Sequence, residues 1–176
     1  MTLADGTIVV AGEVALIAFE RRLRHPVETV WAALADPEER AAWLGAGTLE
    51  HREGGRIAIR TGPEGRPEQQ RLMSGRVLTW DPPRLLEHEW VQPGLATSVV
   101  RYELEPDASG TILRLTHRRS VTPIATGGRA GWHAYLDRLA AHLDGEPVPA
   151  WSVRRAEVEG AYGEPPIPGT QERNPA

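Results

Sequence analysis

Residues 75–90, GRVLTWDPPRLLEHEW, predict an antiparallel β-hairpin in the middle of the chain. Two runs rich in Val, Leu, Thr and Trp flank the segment Asp81-Pro82-Pro83-Arg84. Because proline has no backbone N–H and a fixed φ, two prolines in series cannot continue a strand. A helical pattern precedes the hairpin and another follows it. This order predicts a curved sheet gripped by helices, an arrangement that usually encloses a cavity.

The N-terminal half reads as a strand followed by two short helices. Alternation over residues 13–24 predicts a strand whose apolar face carries Ile17, Phe19, Arg21 and Leu23. His25-Pro26 ends this strand, and apolar residues at helical spacing over residues 27–34 form one stripe. Asp36, followed by Pro and two Glu, predicts the capped start of a second helix.

The C-terminal half changes from strand to helix. Residues 100–104 and 113–117 alternate as a second β pair. The helical period starts at residue 129, and its apolar stripe contains Trp132, Tyr135, Leu136, Leu139 and Leu143. We expect the other face to point away from the core; it contains His133, Asp137 and Ala141. The preceding segment TGGRAG (126–131) could hold an anion at the helix N-terminus with Arg129, but a flexible hinge or gate is the favoured interpretation, because glycine is common in connectors.

These elements predict one α+β domain with the helix-grip architecture. Its curved antiparallel sheet has about six or seven strands, with two short helices and a long C-terminal helix around a cavity. We expect a flexible lead-in over residues 1–12 and the domain over 13–145. An extension over 146–162 is expected to pack on or near the domain, and residues 163–176 to be disordered. Residues 62–70 are expected to form an exposed hairpin loop.

Composition excludes several kinds of chemistry. The 176 residues carry a formal net charge of −4, which gives no electrostatic reason to expect nucleic acid binding. All 20 basic residues are arginine, so lysine Schiff bases and lysine general bases are excluded. Cysteine is absent, which excludes disulfides and thiolate chemistry. No convincing signal peptide or membrane-spanning run is found, so a cytoplasmic protein without membrane insertion is expected.

Five segments carry a family resemblance. They are HPVETVWAALADPEERAAWL (25–44), GGRIAIR (54–60), GRVLTWDPPRLLEHEW (75–90), YELEPDASGTILRLTH (102–117) and GWHAYLDRLAAHLDG (131–145). Over about residues 13–145 the chain resembles the SRPBCC superfamily, which includes START-type lipid-transfer domains, birch-pollen-allergen-like proteins and polyketide cyclases. Within it, the chain is most similar to bacterial relatives of the activator of the heat-shock ATPase.

The resemblance implies a cavity between the curved sheet and the long helix that holds an apolar or amphipathic small molecule. Some members of the superfamily cyclise polyketides, and the eukaryotic activator stimulates a chaperone ATPase. Three functions therefore stay open: a ligand-binding protein, a polyketide cyclase or dehydratase, and a chaperone cofactor. A homodimer also stays open. No cofactor is expected, because dinucleotide and phosphate-loop fingerprints are absent. No metal is expected, because metal-binding motifs are absent and His133 and His142 lie on opposite sides of a helix.

Three polar residues on apolar faces are candidates for contacting a ligand. Arg21 has a planar guanidinium that suits a ligand carboxylate, although a structural ion pair is the simpler explanation. His88 and His117 are predicted to face inward one strand apart and could contact one ligand. Buried histidines without a chemical role are, however, common. No catalytic residue is assigned.

Aromatic and apolar side chains are the expected walls of the site. Several large rings fall on predicted inner faces, and we expect two or three to touch the cavity, with Trp132 and Tyr102 foremost. The complete predicted ligand-binding set is Arg21, His88, Trp90, Tyr102, His117, Trp132, Tyr135 and Leu136. Glu87 and Glu89 lie on the opposite face of their strand and are expected to meet solvent.

Overall fold

The computed structural model describes residues 6–120 and 123–162, which form a curved sheet with five helices. The strands are β1 Gly6–Ala11, β2 Val14–Leu23, β3 Gly47–Leu49, β4 Arg56–Arg60, β5 Leu72–Asp81, β6 Leu85–Trp90, β7 Ser98–Asp107 and β8 Gly110–Ser120. The helices are α1 Val27–Ala35, α2 Pro37–Trp43, α3 Glu68–Arg71, α4 Pro123–Leu143 and α5 Trp151–Tyr162. The tail that the sequence predicts to be disordered, residues 163–176, lies outside the described residues.

All eight strands join one antiparallel sheet in the order β1-β2-β8-β7-β6-β5-β4-β3. The predicted proline hairpin is confirmed: β5 ends at Asp81, and β6 begins at Leu85. The Arg84 N–H donates to the Asp81 carbonyl at 2.8 Å, and its guanidinium contacts the Asp81 carboxylate at 2.9 Å. The helix-grip architecture is thus confirmed, with one strand more than the upper expectation.

Three segments differ from the sequence-based description. Residues 6–11, placed in a flexible lead-in, form edge strand β1, whose Ile8 pairs with Ile17 of β2. The short strand β3 was missed, since three residues are too few to show alternation. The loop after β4 contains the four-residue helix α3. In the first two cases, pairing with a neighbouring strand stabilises a segment whose own pattern is weak.

Helices α1 and α2 cover one end of the concave face of the sheet. Asp36 is the N-cap of α2, where its carboxylate accepts the N–H groups of Glu38 and Glu39 at 2.8 and 3.2 Å. Trp43, at the end of α2, is fully buried and donates its indole N–H to the carbonyl of Ala33 at 2.8 Å. This bond ties the two helices together over the core.

The long helix α4 crosses the remainder of the concave face. It begins at Pro123, so the interpretation of residues 126–131 as a hinge is wrong: these residues are helical. The predicted apolar stripe is buried, with Trp132, Tyr135, Leu136 and Leu139 at most 6% exposed. None of the helices in the described part of the chain is long and apolar enough to cross a membrane.

The opposite face of α4 is buried as well, contrary to expectation. His133 is 1% and Asp137 is 9% exposed. The reason is α5, which packs along α4 and places Arg154 with its Nε 2.7 Å from the Asp137 carboxylate. Val158 of α5 is fully buried in the same contact. The predicted C-terminal extension therefore packs on the domain as a second helical layer.

Removal of the α2 cap tests the helical layer. Asp36→Ala leaves two N–H groups without their acceptor and is expected to lower the free energy of unfolding by about 1 kcal/mol. Asp36→Asn keeps a capping oxygen and is expected to lose much less. Urea denaturation of both variants measures the difference. Equal losses in the two variants would show that charge, rather than capping, is the contribution of Asp36.

Candidate functional site: a cavity between the sheet and helices α4 and α5

One cavity of about 740 Å³ opens between the concave sheet, α4, α5 and two loops. The loop after β4 and helix α3 form one side of its mouth, and the loop after β6 forms another. Its lining residues are Thr61, Gly62, Pro63, Arg66, Gln70, Arg71, Trp90, Gln92, Pro93, Leu95, His117, Arg119, Gly128, Gly131, Trp132, Tyr135, Trp151, Arg155 and Glu159.

Two glycines of α4 leave room for the cavity. A Cβ atom at Gly128 would lie 2.8 Å from Ile17 Cδ1 and 3.2 Å from the guanidinium of Arg119. A Cβ atom at Gly131 would lie 3.4 Å from the Trp151 ring, which is an ordinary contact. A glycine inside a helix costs roughly 1 kcal/mol relative to alanine. Here the missing side chains allow the helix to lie beside the cavity without filling it.

A row of contacting aromatic rings forms the apolar wall. Trp90 of β6 meets Trp132 of α4 at a centroid distance of 5.2 Å. Trp132 meets Tyr135 at 5.7 Å, and Tyr135 meets Trp151 of α5 at 5.4 Å. These distances fall in the range of favourable tilted and edge-to-face pairs. The wall thus runs from the sheet through α4 to α5, with each ring held by its neighbour.

Hydrogen bonds lock His117 against this wall. The indole N–H of Trp132 donates to His117 Nδ1 at 2.9 Å. His117 Nε2 must then carry the proton, which it donates to Ser98 Oγ at 2.8 Å, and Ser98 donates to the carbonyl of Trp90 at 3.0 Å. Burial, together with the nearby positive charge of Arg119, lowers the pKa of His117 to about 3. His117 is therefore a neutral imidazole with both nitrogens engaged.

His88 lies one strand away, as predicted, because His88 and His117 both pair with Val100 of β7. It does not line the 740 Å³ cavity. Its Nδ1–H donates to the carbonyl of Glu89 at 2.7 Å, and burial lowers its pKa to about 4. His88 instead borders a void of about 10 Å³ beneath α2, together with Arg40 and Tyr102. Burial raises the pKa of the Tyr102 hydroxyl well above its ordinary value.

Arg21 lies at the other end of the concave face, under α4 and α5. Its guanidinium approaches the carboxylate of Asp137 at 3.8 Å, and Asp137 also contacts Arg154 at 2.7 Å and His133 at 3.3 Å. Burial acts to raise the pKa of Asp137, but hydrogen bonds from His133 and Arg154 outweigh it, so this pKa is lowered. The geometry is that of the structural ion pair weighed in the sequence analysis.

Tyr135 offers a polar group to the cavity. Its hydroxyl oxygen accepts the N–H of Gly62 at 2.6 Å, which joins α4 to the loop after β4. Burial raises the pKa of this phenol to about 12, so its proton is retained at neutral pH. The phenol O–H is thus a neutral donor beside the aromatic wall.

The structure divides the predicted site residues into two groups. Four of them line the cavity: Trp90, His117, Trp132 and Tyr135. Four do not: Arg21, His88, Tyr102 and Leu136. The sequence-based prediction did not include Trp151, because a single tryptophan after a Pro-rich segment shows no periodic spacing of apolar residues. It did not include Arg119 either. Arg119 could have been found, since it continues the alternation of His117 along β8. Among the described residues, no cluster of three or more acidic or histidine side chains is arranged to hold a metal ion.

A helix-grip sheet with an open cavity under its long helix defines a protein of the SRPBCC class. Residues 24–144 match the family described as "Activator of Hsp90 ATPase homolog 1-like protein", and the chain belongs to this family. The match ends before α5, so the wall that α5 contributes lies beyond it.

Solved structures support this assignment. CalU16 from Micromonospora echinospora is 30% identical, with a TM-score of 0.69 over 89% of this chain and 91% of that chain. A protein encoded by gene BPP1335 from Bordetella parapertussis is 32% identical, with a TM-score of 0.67 over 87% and 86%. Protein MLL2253 from Mesorhizobium loti is 25% identical, with a TM-score of 0.64 over 73% and 96%. No curated protein matches the chain.

Two of the buried histidines, His88 and His117, have lowered pKa values, and they make stability depend on pH. The pKa of His88 is lowered from 6.5 to about 4, so between these values the unfolded chain binds a proton that the folded chain excludes. The free energy of unfolding is therefore intact above pH 6.5 and falls as the pH drops toward 4, by about 3 kcal/mol from His88 alone. Urea denaturation at pH 7 and pH 4.5 measures this loss.

Two variants identify the group responsible. His88→Gln is expected to remove the share that His88 contributes, roughly half of this pH dependence, because His117 stays buried with its pKa lowered to about 3. His142→Gln alters a histidine that pairs with Glu39 near the surface, and it is expected to keep the full dependence because His88 and His117 both remain. If His88→Gln and the wild type lost stability in parallel, burial of His88 would not be the cause.

Proposed function

We propose that the protein binds a small apolar or amphipathic molecule, with a flat ring system, in the cavity between the sheet, α4 and α5. The observation that carries this proposal is an open cavity of about 740 Å³ whose inner wall is a row of four contacting aromatic rings. Ligand sites are typically about 300–1,000 Å³, apolar in lining and equipped with a few oriented polar groups. Tyr135 and the arginines at the mouth supply such groups.

Binding without turnover is favoured over a cyclase or dehydratase by the state of the histidines. A general base needs a free lone pair within reach of the substrate proton. In His117, the lone pair of Nδ1 already accepts the Trp132 indole N–H. His88 does not line the cavity, and its pKa of about 4 makes it a weak base at neutral pH. The cavity therefore offers walls and hydrogen-bond donors but no histidine poised to move a proton.

The name of the family points to a second candidate, a chaperone cofactor. That function needs an outer surface rather than a filled cavity. The two candidates predict opposite effects of a cavity-filling substitution, since a cofactor would keep its ATPase stimulation when the cavity is blocked. An ATPase assay with an Hsp90-type chaperone separates them directly.

Gly131→Leu is expected to block the cavity. A Cβ atom is tolerated at this position, and the rest of the leucine side chain would extend toward the Trp151 ring and into the lining. We expect at least a ten-fold loss of affinity for N-phenylnaphthylamine, an uncharged aromatic probe whose fluorescence rises in apolar sites. The size follows from the contact area that an occupied pocket loses.

Gly160→Leu is the matched control. It makes the same change in α5, at an exposed site where a Cβ atom meets nothing within 4 Å, and is expected to leave probe affinity unchanged. Near-UV circular dichroism verifies that both variants keep native packing. A folded Gly131→Leu protein that binds the probe as the wild type does would contradict the proposal. Native mass spectrometry of the freshly purified protein then identifies any retained ligand.

A further inference from the structure

The cavity is apolar inside but positively charged at its mouth. Among the described residues, its lining contains four arginines from three different parts of the chain and one glutamate. The glutamate, Glu159, is already paired, because Arg155 donates a hydrogen bond to its carboxylate at 2.8 Å. Arg71 donates its Nε–H to the carbonyl of Thr61 at 3.3 Å. The mouth therefore has a net positive charge, because its guanidinium groups outnumber its carboxylates.

Arg119 places one of these positive charges inside the cavity. Along β8 the residues at 113, 115 and 117 face the core, and Arg119 continues the same face, directly beyond His117. It pairs with the buried Ala15 of β2, and its guanidinium lies so close to α4 that a Cβ atom at Gly128 would stand 3.2 Å from it. The side chain is half-buried at the end of the aromatic wall rather than extended into solvent.

Within the described part of the chain, Arg119 has no carboxylate partner, unlike several other arginines. Arg101 pairs with Glu87 and Glu103, Arg114 with Glu20 and Glu105, and Arg154 with Asp137 and Glu157. Among residues 6–120 and 123–162, no hydrogen bond or ion pair neutralises Arg119. Burial lowers the pKa of its guanidinium, and no acid of the described chain offsets that shift. A partly desolvated cation is costly unless an anion neutralises it.

We infer that Arg119 is an anion subsite of the cavity, and that the ligand is an amphipathic acid. Its acidic group, a carboxylate, sulfonate or phosphate, pairs with the Arg119 guanidinium, while its apolar body lies against Trp90 and Trp132. This inference rests on the proposed function and adds the charge of the ligand. The planar fork of arginine suits such groups, because it forms two parallel hydrogen bonds to one anion. Arg119 therefore takes the ligand-contacting role that was expected of Arg21.

Two probes of similar shape and different charge test the inference. Anilinonaphthalene sulfonate carries a permanent negative charge, and N-phenylnaphthylamine has the same ring framework without it. Arg119→Gln is expected to weaken binding of the sulfonate roughly ten- to hundred-fold and to leave affinity for the amine within about two-fold. Arg118→Gln is the matched control, because it removes the same charge from the adjacent residue, which is exposed on the other face of β8. It is expected to change neither affinity.

The outcomes separate this inference from the proposed function. Equal effects of Arg119→Gln and Arg118→Gln on the sulfonate would overturn the anion subsite. The binding function would still stand if the wild type binds the amine and Gly131→Leu does not. If Arg119→Gln loses affinity for both probes in parallel, the anion subsite would also be overturned, since that pattern reflects damage to the cavity. Failure of the wild type to bind either probe would overturn both. If Arg119→Gln does not fold, Arg119→Lys keeps the charge but loses the planar fork, and it is expected to weaken binding of the sulfonate while leaving affinity for the amine unchanged.

Discussion

The hydrogen bond from the Trp132 indole to His117 sets the distance between the long helix and the sheet. At 2.9 Å it joins the middle of α4 to β8, and the bonds from His117 to Ser98 and from Ser98 to Trp90 continue the link across β7 to β6. The chain of donors and acceptors is complete only when the imidazole is neutral. The cavity depends on this link, because it holds two of the four wall aromatics in place while the glycines of α4 leave the space beside them.

A second layer of contacts determines where the cavity ends. Helix α5 is held to α4 by the ion pair of Arg154 with Asp137 and by the indole of Trp151, which donates to the carbonyl of Gly131 at 3.2 Å. Arg138 bonds to the carbonyls of Trp43 and Pro149 and so connects α2, α4 and the segment before α5. The family match stops at residue 144, so relatives that share the matched region need not share this wall. The fold is thus common to the family, while part of the cavity wall belongs to the extension.

Local patterns of the sequence predict most of the fold but only half of the site. Period-two alternation is a property of the strand itself, and it correctly buries Arg21, His88 and His117. Which buried residues reach the cavity depends on where the helices lie over the sheet. His88 falls under α2, whereas His117 falls under the gap beside the glycines of α4. The polar face of α4 is a second case in which local patterns do not show how elements pack, since nothing in the sequence of α4 indicates that α5 covers His133 and Asp137.

The aromatic wall also gives the protein a built-in optical signal. Three of the six tryptophans, Trp90, Trp132 and Trp151, line the cavity, and two of them donate indole N–H groups to fixed acceptors. Indole emission depends on the polarity and hydrogen bonding around the ring. A molecule that enters the cavity must replace solvent at these rings, whereas Trp43 in the sealed core is shielded from the change. Half of the indoles in the unlabelled chain therefore respond to the state of its cavity.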